Sequence, residues 1–233
     1  MRLDLALREK GITESRSKAK FIIKKGKVLV NGSVVKKPSK KVSRKDELKI
    51  NEEFEYVGRG SYKIDFPAKK FNIDFNDKII LDVGCSVGGF TDYALKNGAK
   101  KVYSIDTGDN INKKLRRNQD VFYFPNTNII DINSLPEKID LCLIDVTFIS
   151  VKKVIPTISS FINDNGKILS LVKPPFEVEN KVKKINDYGT CLKIAKDVYK
   201  WCEKEGFKGI GLCDSKLLGK GSQQQEFFIF LKK

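Results

Sequence analysis

Histidine is absent from the 233 residues of this sequence, and its absence narrows the chemistry that the protein can perform. Histidine is a common metal ligand and the side chain whose ordinary pKa lies closest to neutral pH. Any proton transfer must therefore depend on lysine, carboxylate, tyrosine, cysteine or backbone groups.

Cysteine is scarce and has no pattern. The five cysteines are odd in number and scattered; they are Cys85, Cys142, Cys191, Cys202 and Cys213. This usage argues against a disulfide framework and predicts no metal site, because both need paired or clustered cysteines. Reduced thiols are typical of the cytoplasm, so we predict a cytoplasmic protein.

Long hydrophobic runs are also missing. No segment approaches the roughly 20 apolar residues of a membrane-spanning helix. Charges interrupt the apolar positions of the first 15 residues, which is not the pattern of a secretory signal. We expect neither a signal nor a required membrane partner, and a chain of this length fits one large or two unequal domains.

Acidic residues are few near the amino terminus. The net charge is +16, and residues 1–50 hold 16 lysines and arginines but five acidic residues, so +11 of that charge lies there. A small basic segment joined to a nearly balanced body is typical of a module that binds nucleic acid. The plainer alternative is a solvated lysine-rich face.

Residues 1–50 are predicted to form a small α+β fold. The apolar spacing indicates a short helix over 2–10 and a second helix that begins after Ser15 as its cap. The dipeptide Asn31-Gly32 predicts a hairpin turn between two short strands, and residues 46–50 supply a closing strand.

Three stretches of this segment, "RLDLAL", "SRSKAKFIIKKGKVLVNG" and "KPS", resemble the alpha-L RNA-binding domain of a small-subunit ribosomal protein and many RNA-modifying enzymes. Such domains bind structured RNA largely through its phosphates. The resemblance implies an RNA-binding domain over residues 1–52, followed by a linker over 53–62. The implied RNA contacts are Arg2, Ser15, Arg16, Lys20, Lys24 and Lys27.

A glycine-rich stretch, "LDVGCSVGGF" at 81–90, follows an aliphatic run and precedes a helical pattern. A strand, a glycine turn and a helix begin a doubly wound α/β unit, in which ligands bind at the carboxyl ends of the strands. The glycine spacing does not fit the dinucleotide fingerprint, and Phe90 stands where a phosphate-binding loop needs lysine. A plain tight turn is the alternative.

The pattern Asp82-x-Gly84-x-x-x-Gly88-Gly89, with Asp106 ending the next predicted strand, resembles the first two motifs of Rossmann-like S-adenosylmethionine-dependent methyltransferases. The resemblance implies that S-adenosylmethionine is the cofactor. Its amino-acid end would lie over the glycines, where a Cβ would collide with it, and Asp106 would accept hydrogen bonds from its ribose. The implied cofactor-binding residues are Asp82, Gly84, Ser86, Gly88, Gly89 and Asp106.

Strand-like runs at α/β spacing continue along the chain, at 101–106, 121–124, 139–145, 166–173, 209–215 and 226–231, with a helix at about 190–204. We therefore predict the α/β class. The expected fold is a Rossmann-like class I methyltransferase sheet, mostly parallel with the last strand antiparallel, beside the small amino-terminal α+β domain.

Charged residues stand at the ends or edges of these runs, where they are costly unless paired or functional. The order Lys63, Asp145, Lys173, Glu226 resembles the catalytic Lys-Asp-Lys-Glu tetrad of ribose 2′-O-methyltransferases. Lys173 is the candidate base or orienter of the hydroxyl, or it stays charged and stabilises the developing oxyanion. An ordinary surface ion-pair network is the alternative.

Nearly the whole chain resembles the TlyA family of hemolysin A-like rRNA 2′-O-methyltransferases, with the FtsJ-like methyltransferase domain over 63–233. The supporting stretches are "YVGRGSYK", "DVGCSVGGFTDYALKNGAKKVYSIDTG", "IDVTFISVKKVIP", "VKPPFEV" and "QEFFIFL". The implied partner is ribosomal RNA or a ribosomal subunit, with the large subunit favoured. This chain departs from the family in three places: it lacks a Gly-Gly-Val-Arg-like loop after "KPPFEV", has Pro175 where Gln is common, and has a Gln run before Glu226.

Other functions compete with this one. The motif "KPPF" at 173–176 is similar to that of enzymes that methylate exocyclic amines, but it follows the fifth strand and begins with a donor instead of an acceptor. A non-catalytic RNA-binding or ribosome assembly factor is opposed by the intact Asp82, Gly84 and Asp106. A membrane-active hemolysin would need an apolar or aromatic-rich amphipathic helix, which the sequence does not show.

Overall fold

The computed structural model describes residues 1–50, 56–179, 182, 184–219 and 223–233. The chain divides into two compact units, Met1–Arg59 and Gly60–Lys233. The domain boundary expected at residue 52 and the start of the expected linker lie outside the described residues. Residues 59–62, at the end of that linker, form the first turn of a helix.

The amino-terminal unit packs two helices against a small antiparallel sheet. Its elements are α1 (Leu3–Glu9), α2 (Arg16–Lys24), β1 (Val28–Val30), β2 (Ser33–Val34) and β3 (Leu48–Ile50), with strand order β2-β1-β3. Asn31 and Gly32 have φ values of 53° and 78°, the left-handed conformation that a tight hairpin needs. The Ser15 side chain accepts a hydrogen bond from the Lys18 amide and caps α2.

A buried carboxylate holds the start of this unit together. Asp4 is fully buried, and its two oxygens accept hydrogen bonds from the Nε atoms of Arg2 and Arg16, each at 2.9 Å. The hydrogen bond from Arg2 is the main reason that the pKa of Asp4 falls to about 2. One internal acid therefore positions two of the residues expected to contact RNA.

The second unit is built on one seven-stranded sheet. Its strands are β4 (Ile79–Val83), β5 (Lys101–Ile105), β6 (Val121–Phe124), β7 (Ile139–Ile144), β8 (Ile162–Val172), β9 (Lys208–Asp214) and β10 (Phe227–Lys232). The order across the sheet is β6-β5-β4-β7-β8-β10-β9. The first five strands in this order pair in parallel, whereas β10 lies antiparallel between β8 and β9. The predicted fold class is confirmed.

The helices from residue 59 onward are α3 (Arg59–Lys70), α4 (Gly89–Lys96), α5 (Lys113–Arg116), α6 (Val151–Ser159), α7 (Pro174–Glu177) and α8 (Tyr188–Lys204). The sequence predicts only α4 and α8 among them. Pro67 lies inside α3 and Pro156 inside α6, and proline normally argues against a helix interior. The other two helices are single turns of four residues.

The apolar strand residues form the centre of this unit, and all five cysteines are buried free thiols. Burial raises the pKa of these thiols, Cys213 to about 11, so they behave as small core residues. None of the described helices is both long and apolar enough to cross a membrane.

Asp4→Asn should loosen the amino-terminal unit. The substitution removes a buried charge that two guanidinium groups satisfy, at a cost of about 1–3 kcal/mol. Hydrogen exchange of the α2 amides in the full chain measures this loss as faster opening. Because the pKa of Asp4 is lowered, its stabilisation should be full above about pH 4 and disappear as the pH falls towards 2.

Glu47→Gln is the matched control, since Glu47 pairs with Lys49 on the surface of the same unit. An exposed pair of this kind contributes less than about 1 kcal/mol. Equal exchange rates for the Asp4→Asn and Glu47→Gln variants would show that the buried carboxylate does not hold the unit together.

Candidate active site

Four charged side chains meet at the carboxyl edge of the sheet. Lys63 Nζ lies 2.7 Å from Glu226 Oε2 and 3.8 Å from Asp145 Oδ2, and Lys173 Nζ lies 2.5 Å from Asp145 Oδ1. Lysines and carboxylates therefore alternate along one chain of contacts. No more than 21% of any of these side chains is exposed, unlike an ordinary surface ion-pair network.

The pairing of the strands brings three of these groups together. Glu226 directly precedes β10, and Lys173 directly follows β8. The first residue of β10 pairs with the last residue of β8, so the two charged residues lie at the same edge. Asp145 follows β7 and donates its amide to the Val83 carbonyl of β4 at 3.0 Å. The three side chains thus leave neighbouring strands at one edge, as the α/β topology predicts.

Lys63 lies on α3, a helix that the sequence does not predict. The Ser61 hydroxyl donates to the Gly89 carbonyl at 2.7 Å, so the start of α3 rests on the start of α4. A Cβ on Gly89 would lie 2.8 Å from the Gly60 Cα. Gly89 is therefore needed for this helix contact, which places Lys63 beside the carboxylates.

Three further residues lie beside these charges: Thr147, Phe148 and Phe176. The sequence patterns do not single them out. Lys173 Nζ donates to Thr147 Oγ1 at 2.9 Å. The next residue, Phe148, is 74% exposed, and its ring lies 5.4 Å from that of Phe176. Its φ of 67° is a strained value for an aromatic residue, and such strain is commonly found at functional sites.

Glu177 joins the loop that carries Phe148 to α7. Its carboxylate accepts hydrogen bonds from the Ser150 hydroxyl at 2.5 Å and from the Val151 amide at 3.0 Å. Burial raises the pKa of Glu177. The loop and the segment after Lys173 are thus held in a fixed relation by one carboxylate.

The packing of the protein itself requires the glycines of the turn after β4. Gly84 and Gly88 have φ values of 81° and 87°, which favour glycine. A Cβ on Gly84 would lie 2.6 Å from the Asp145 carbonyl oxygen, and one on Gly88 would lie 2.3 Å from Leu115 Cδ1. The protein itself therefore requires glycine at both positions, and the expected contact with the cofactor stays a prediction.

The Asp106 carboxylate binds backbone amides of the turn after β4 and of its own loop. Its Oδ2 accepts a hydrogen bond from the Ser86 amide at 2.8 Å, and its Oδ1 accepts one from the Gly108 amide at 2.7 Å. A carboxylate can accept about four hydrogen bonds, so each oxygen has capacity for another donor. A pair of ribose hydroxyls would fit this capacity.

Asp82 lies beneath the turn and has no exposed surface. Its Oδ2 accepts hydrogen bonds from the Thr91 amide at 2.9 Å and the Thr91 hydroxyl at 2.6 Å, whereas Oδ1 has no partner among the described residues. Burial raises the pKa of Asp82 to about 7. The acid thus supports the turn from below, tying β4 to α4.

The residues expected to contact RNA lie in the amino-terminal unit. Lys20 and Lys24 are exposed on α2, and Lys27 is half-buried at the start of the hairpin. The side chains of Arg2 and Arg16 keep 43% and 44% of their surface exposed while they hold Asp4. Ser15 is engaged as the helix cap.

Two family models match the chain. The model of the FtsJ-like methyltransferases matches residues 56–233, and the model of the S4 domain matches residues 1–48. The first of these regions contains the four charged residues and the glycine turn. The second contains the basic amino-terminal segment.

Known proteins match over most of the chain. Hemolysin A of Brachyspira hyodysenteriae is 40% identical over 77% of this chain and 76% of its own length. The Mycobacterium tuberculosis 16S/23S rRNA (cytidine-2′-O)-methyltransferase TlyA is 30% identical over 99% of this chain and 89% of its own. A Streptococcus thermophilus structure named a hemolysin has a TM-score of 0.76 and 32% identity, and covers 100% of this chain and 88% of that one.

Lys63→Met should destabilise the second unit by about 3 kcal/mol, because it leaves the buried Glu226 carboxylate without its cation. Trp201, the single tryptophan of the sequence, lies in α8 and reports on this unit by fluorescence during denaturation. Adding Glu226→Gln should recover part of the loss, since the unpaired charge is then gone. A loss below about 1 kcal/mol for the single variant would contradict a buried pair.

Proposed function

Because the chain belongs to the FtsJ-like methyltransferase family, and within it is related over nearly its full length to TlyA, we propose that it methylates a ribose 2′-hydroxyl of ribosomal RNA with S-adenosylmethionine. The observation that carries this proposal is the convergence of Lys63, Asp145, Lys173 and Glu226 at the edge of the sheet. The S4 domain supplies the basic surface for RNA.

The residues around the glycine turn fit the proposed cofactor. Asp106 would hold the ribose hydroxyls through its remaining acceptor capacity, with Ser86 and Gly108 fixing its carboxylate. The backbone at Gly84 and Gly88 would contact the amino-acid end, and Asp82 and Gly89 would support the turn from within. S-adenosylmethionine supplies an electrophilic methyl group on a sulfonium, so the protein needs no metal to activate the leaving group.

Lys173 is the residue proposed to act on the substrate hydroxyl. Its ammonium has three N–H donors, and Asp145 and Thr147 accept two of them. The third can point to the ribose oxygen, where it would stabilise the negative charge that appears as the hydroxyl proton leaves to solvent. The oxygen–carbon bond would then form as the carbon–sulfur bond breaks, with S-adenosylhomocysteine as the leaving group. The two carboxylates hold both lysines in place, so the role as charged donor is supported better than the role as neutral base.

Phe148 is proposed to receive the base of the target nucleotide. RNA-modifying enzymes commonly stack an unpaired base on an exposed aromatic ring. Phe148 is exposed, lies one residue from the partner of Lys173, and is backed by Phe176. Glu177 would keep this ring in position relative to the lysine.

The basic surface of the amino-terminal unit is proposed to bind ribosomal RNA through Lys20, Lys24 and Lys27, with Arg2, Ser15 and Arg16 beside them. Contacts of this kind deliver the RNA without selecting the nucleotide. The TlyA relative acts on RNA of both ribosomal subunits by its name. The large subunit remains the favoured substrate, and reverse-transcription stops at low nucleotide concentration would locate the modified ribose.

The hemolysin names of some relatives suggest membrane activity as a second function. None of the described helices is long and apolar enough to span a membrane. A basic surface is attracted to anionic lipid as well as to RNA. Methyl transfer accounts for the largely buried tetrad, which lysis does not need.

Asp106→Asn should weaken binding of S-adenosylhomocysteine by about 10- to 100-fold, because the charged acceptors of the ribose hydroxyls are lost. Isothermal titration calorimetry measures this affinity. Asp109→Asn is the matched control, since Asp109 lies on the same loop but faces Arg116, and it should change affinity less than about twofold. Unchanged binding by the Asp106→Asn variant would contradict the cofactor site.

Lys173→Met should reduce methyl transfer by about 10²- to 10³-fold while RNA and cofactor binding persist. The assay measures label transferred from S-adenosylmethionine to ribosomal RNA of cells that lack the protein. Nuclease digestion and mass spectrometry then identify the 2′-O-methyl nucleoside. Lys153→Met, at an exposed position of α6, is the control with normal activity.

Full methylation by the Lys173→Met variant would show that the role assigned to Lys173 is wrong. A wild-type protein that binds RNA but neither binds the cofactor nor transfers label would instead support the non-catalytic assembly factor.

A further inference from the structure

A second basic cluster lies in the catalytic unit, on and after α5. Four of five consecutive residues are cationic and exposed: Lys113, Lys114, Arg116 and Arg117. Arg116 pairs with Asp109 and lies 5.2 Å above the Tyr123 ring. In the part of the chain that the structure describes, the other three have no carboxylate within ion-pair distance. We name these four residues the α5 cluster.

The α5 cluster is fixed to the turn that is proposed to hold the cofactor. Leu115, in its middle, is buried and lies where a Cβ on Gly88 would be. The Asn112 amide donates to the Val87 carbonyl at 3.2 Å, and the Asn112 side chain caps α5 by accepting from the Lys114 amide at 2.8 Å. The cations thus stand at a defined place on the rim of the methyl-transfer site.

A second group of exposed lysines shows what an ordinary solvated face looks like here. Lys193, Lys196 and Lys200 lie on α8, with the exposed Asp197 between them and the exposed Glu203 three residues after the last of them. Interleaved acids reduce the attraction of such a face for a polyanion. The α5 cluster has one acid, Asp109, which engages a single one of its four cations.

We propose that the α5 cluster binds backbone phosphates of the RNA substrate next to the cofactor turn, as a contact surface separate from the S4 domain. The inference rests on the proposed function for the identity of the RNA. Phosphate contacts fix the register of a nucleic acid on a protein. Two separate phosphate-binding surfaces would therefore define how the RNA crosses the tetrad, which the S4 domain alone would not do.

Salt dependence provides the test. A protein that neutralises a phosphate releases counterions, so its affinity falls as the salt concentration rises. Each such contact adds about 0.7 to 0.9 to the magnitude of the negative slope of log affinity against log salt, which is the slope meant below. The triple variant Lys113→Ala, Lys114→Ala, Arg117→Ala in the full chain should therefore have a slope smaller by about 2, together with weaker binding at low salt. The probe is purified large-subunit ribosomal RNA, titrated between about 50 and 200 mM salt.

The control is Lys193→Ala, Lys196→Ala, Lys200→Ala, which removes the same charge from α8. It should leave the slope within about 0.5 of wild type and leave methylation unchanged, since those lysines lie outside the site. Trp201 fluorescence checks that both triple variants fold. Lys114→Ala alone should lower the slope by about 1, which keeps the test decisive if the triple variant is unstable.

Equal slopes for the α5 and α8 variants would overturn the α5 cluster as an RNA surface. A wild-type protein that methylates no ribosomal RNA would refute the proposed function, and the comparison of slopes would still decide the role of the cluster. A reduced slope with normal methylation of short fragments but poor methylation of intact RNA would support it as a positioning surface.

Discussion

The largely buried contact chain of Glu226, Lys63, Asp145 and Lys173 is the interaction on which the rest of the site depends. Burying four charges is expensive, and the expense is offset only if each charge meets an opposite one with good geometry. The alternation of carboxylate and ammonium meets this condition, with contacts of 2.5 to 3.8 Å. Removal of Lys63 leaves Glu226 without a cation, and removal of Asp145 leaves Lys173 without a carboxylate, so these two inner members hold the four groups together.

The sheet topology makes this contact chain possible. Insertion of β10 between β8 and β9 brings Glu226 to the edge where Asp145 and Lys173 emerge from parallel strands. The close approach of Gly60 and Gly89 then brings α3, and with it Lys63, to the same edge. Fold and chemistry are thus joined: the proposed catalytic groups also link α3 and β10 to the centre of the sheet.

The sequence predicts the fold well because its strands are nearly continuous apolar runs, and because the α4 and α8 patterns are periodic. It also predicts that Lys63, Asp145, Lys173 and Glu226 belong together, through the resemblance of their order to a known tetrad. The sequence does not predict α3, because Pro67 argues against a helix there. The first turn of α3 nevertheless makes the contact that positions Lys63.

Contacts between distant segments explain the remaining differences. The space beside Gly84 and Gly88 is filled by Asp145 and Leu115, which no local pattern could show. Phe148 and Glu177 are recognised as part of the candidate site only through their contacts in the folded chain, with Phe176 and with Ser150 and Val151. A sequence motif therefore predicts where the site lies, whereas the packing reason for Gly84 and Gly88 comes only from the structure.

A crystal structure with S-adenosylhomocysteine and a short RNA bound would test the central claim most directly. The account predicts that the ribose hydroxyls of the ligand lie on Asp106, with the sulfur facing the Lys173 amine and the target 2′-oxygen between them. A ligand bound elsewhere, or Lys173 and Asp145 separated with the RNA ribose remote from both, would contradict the account.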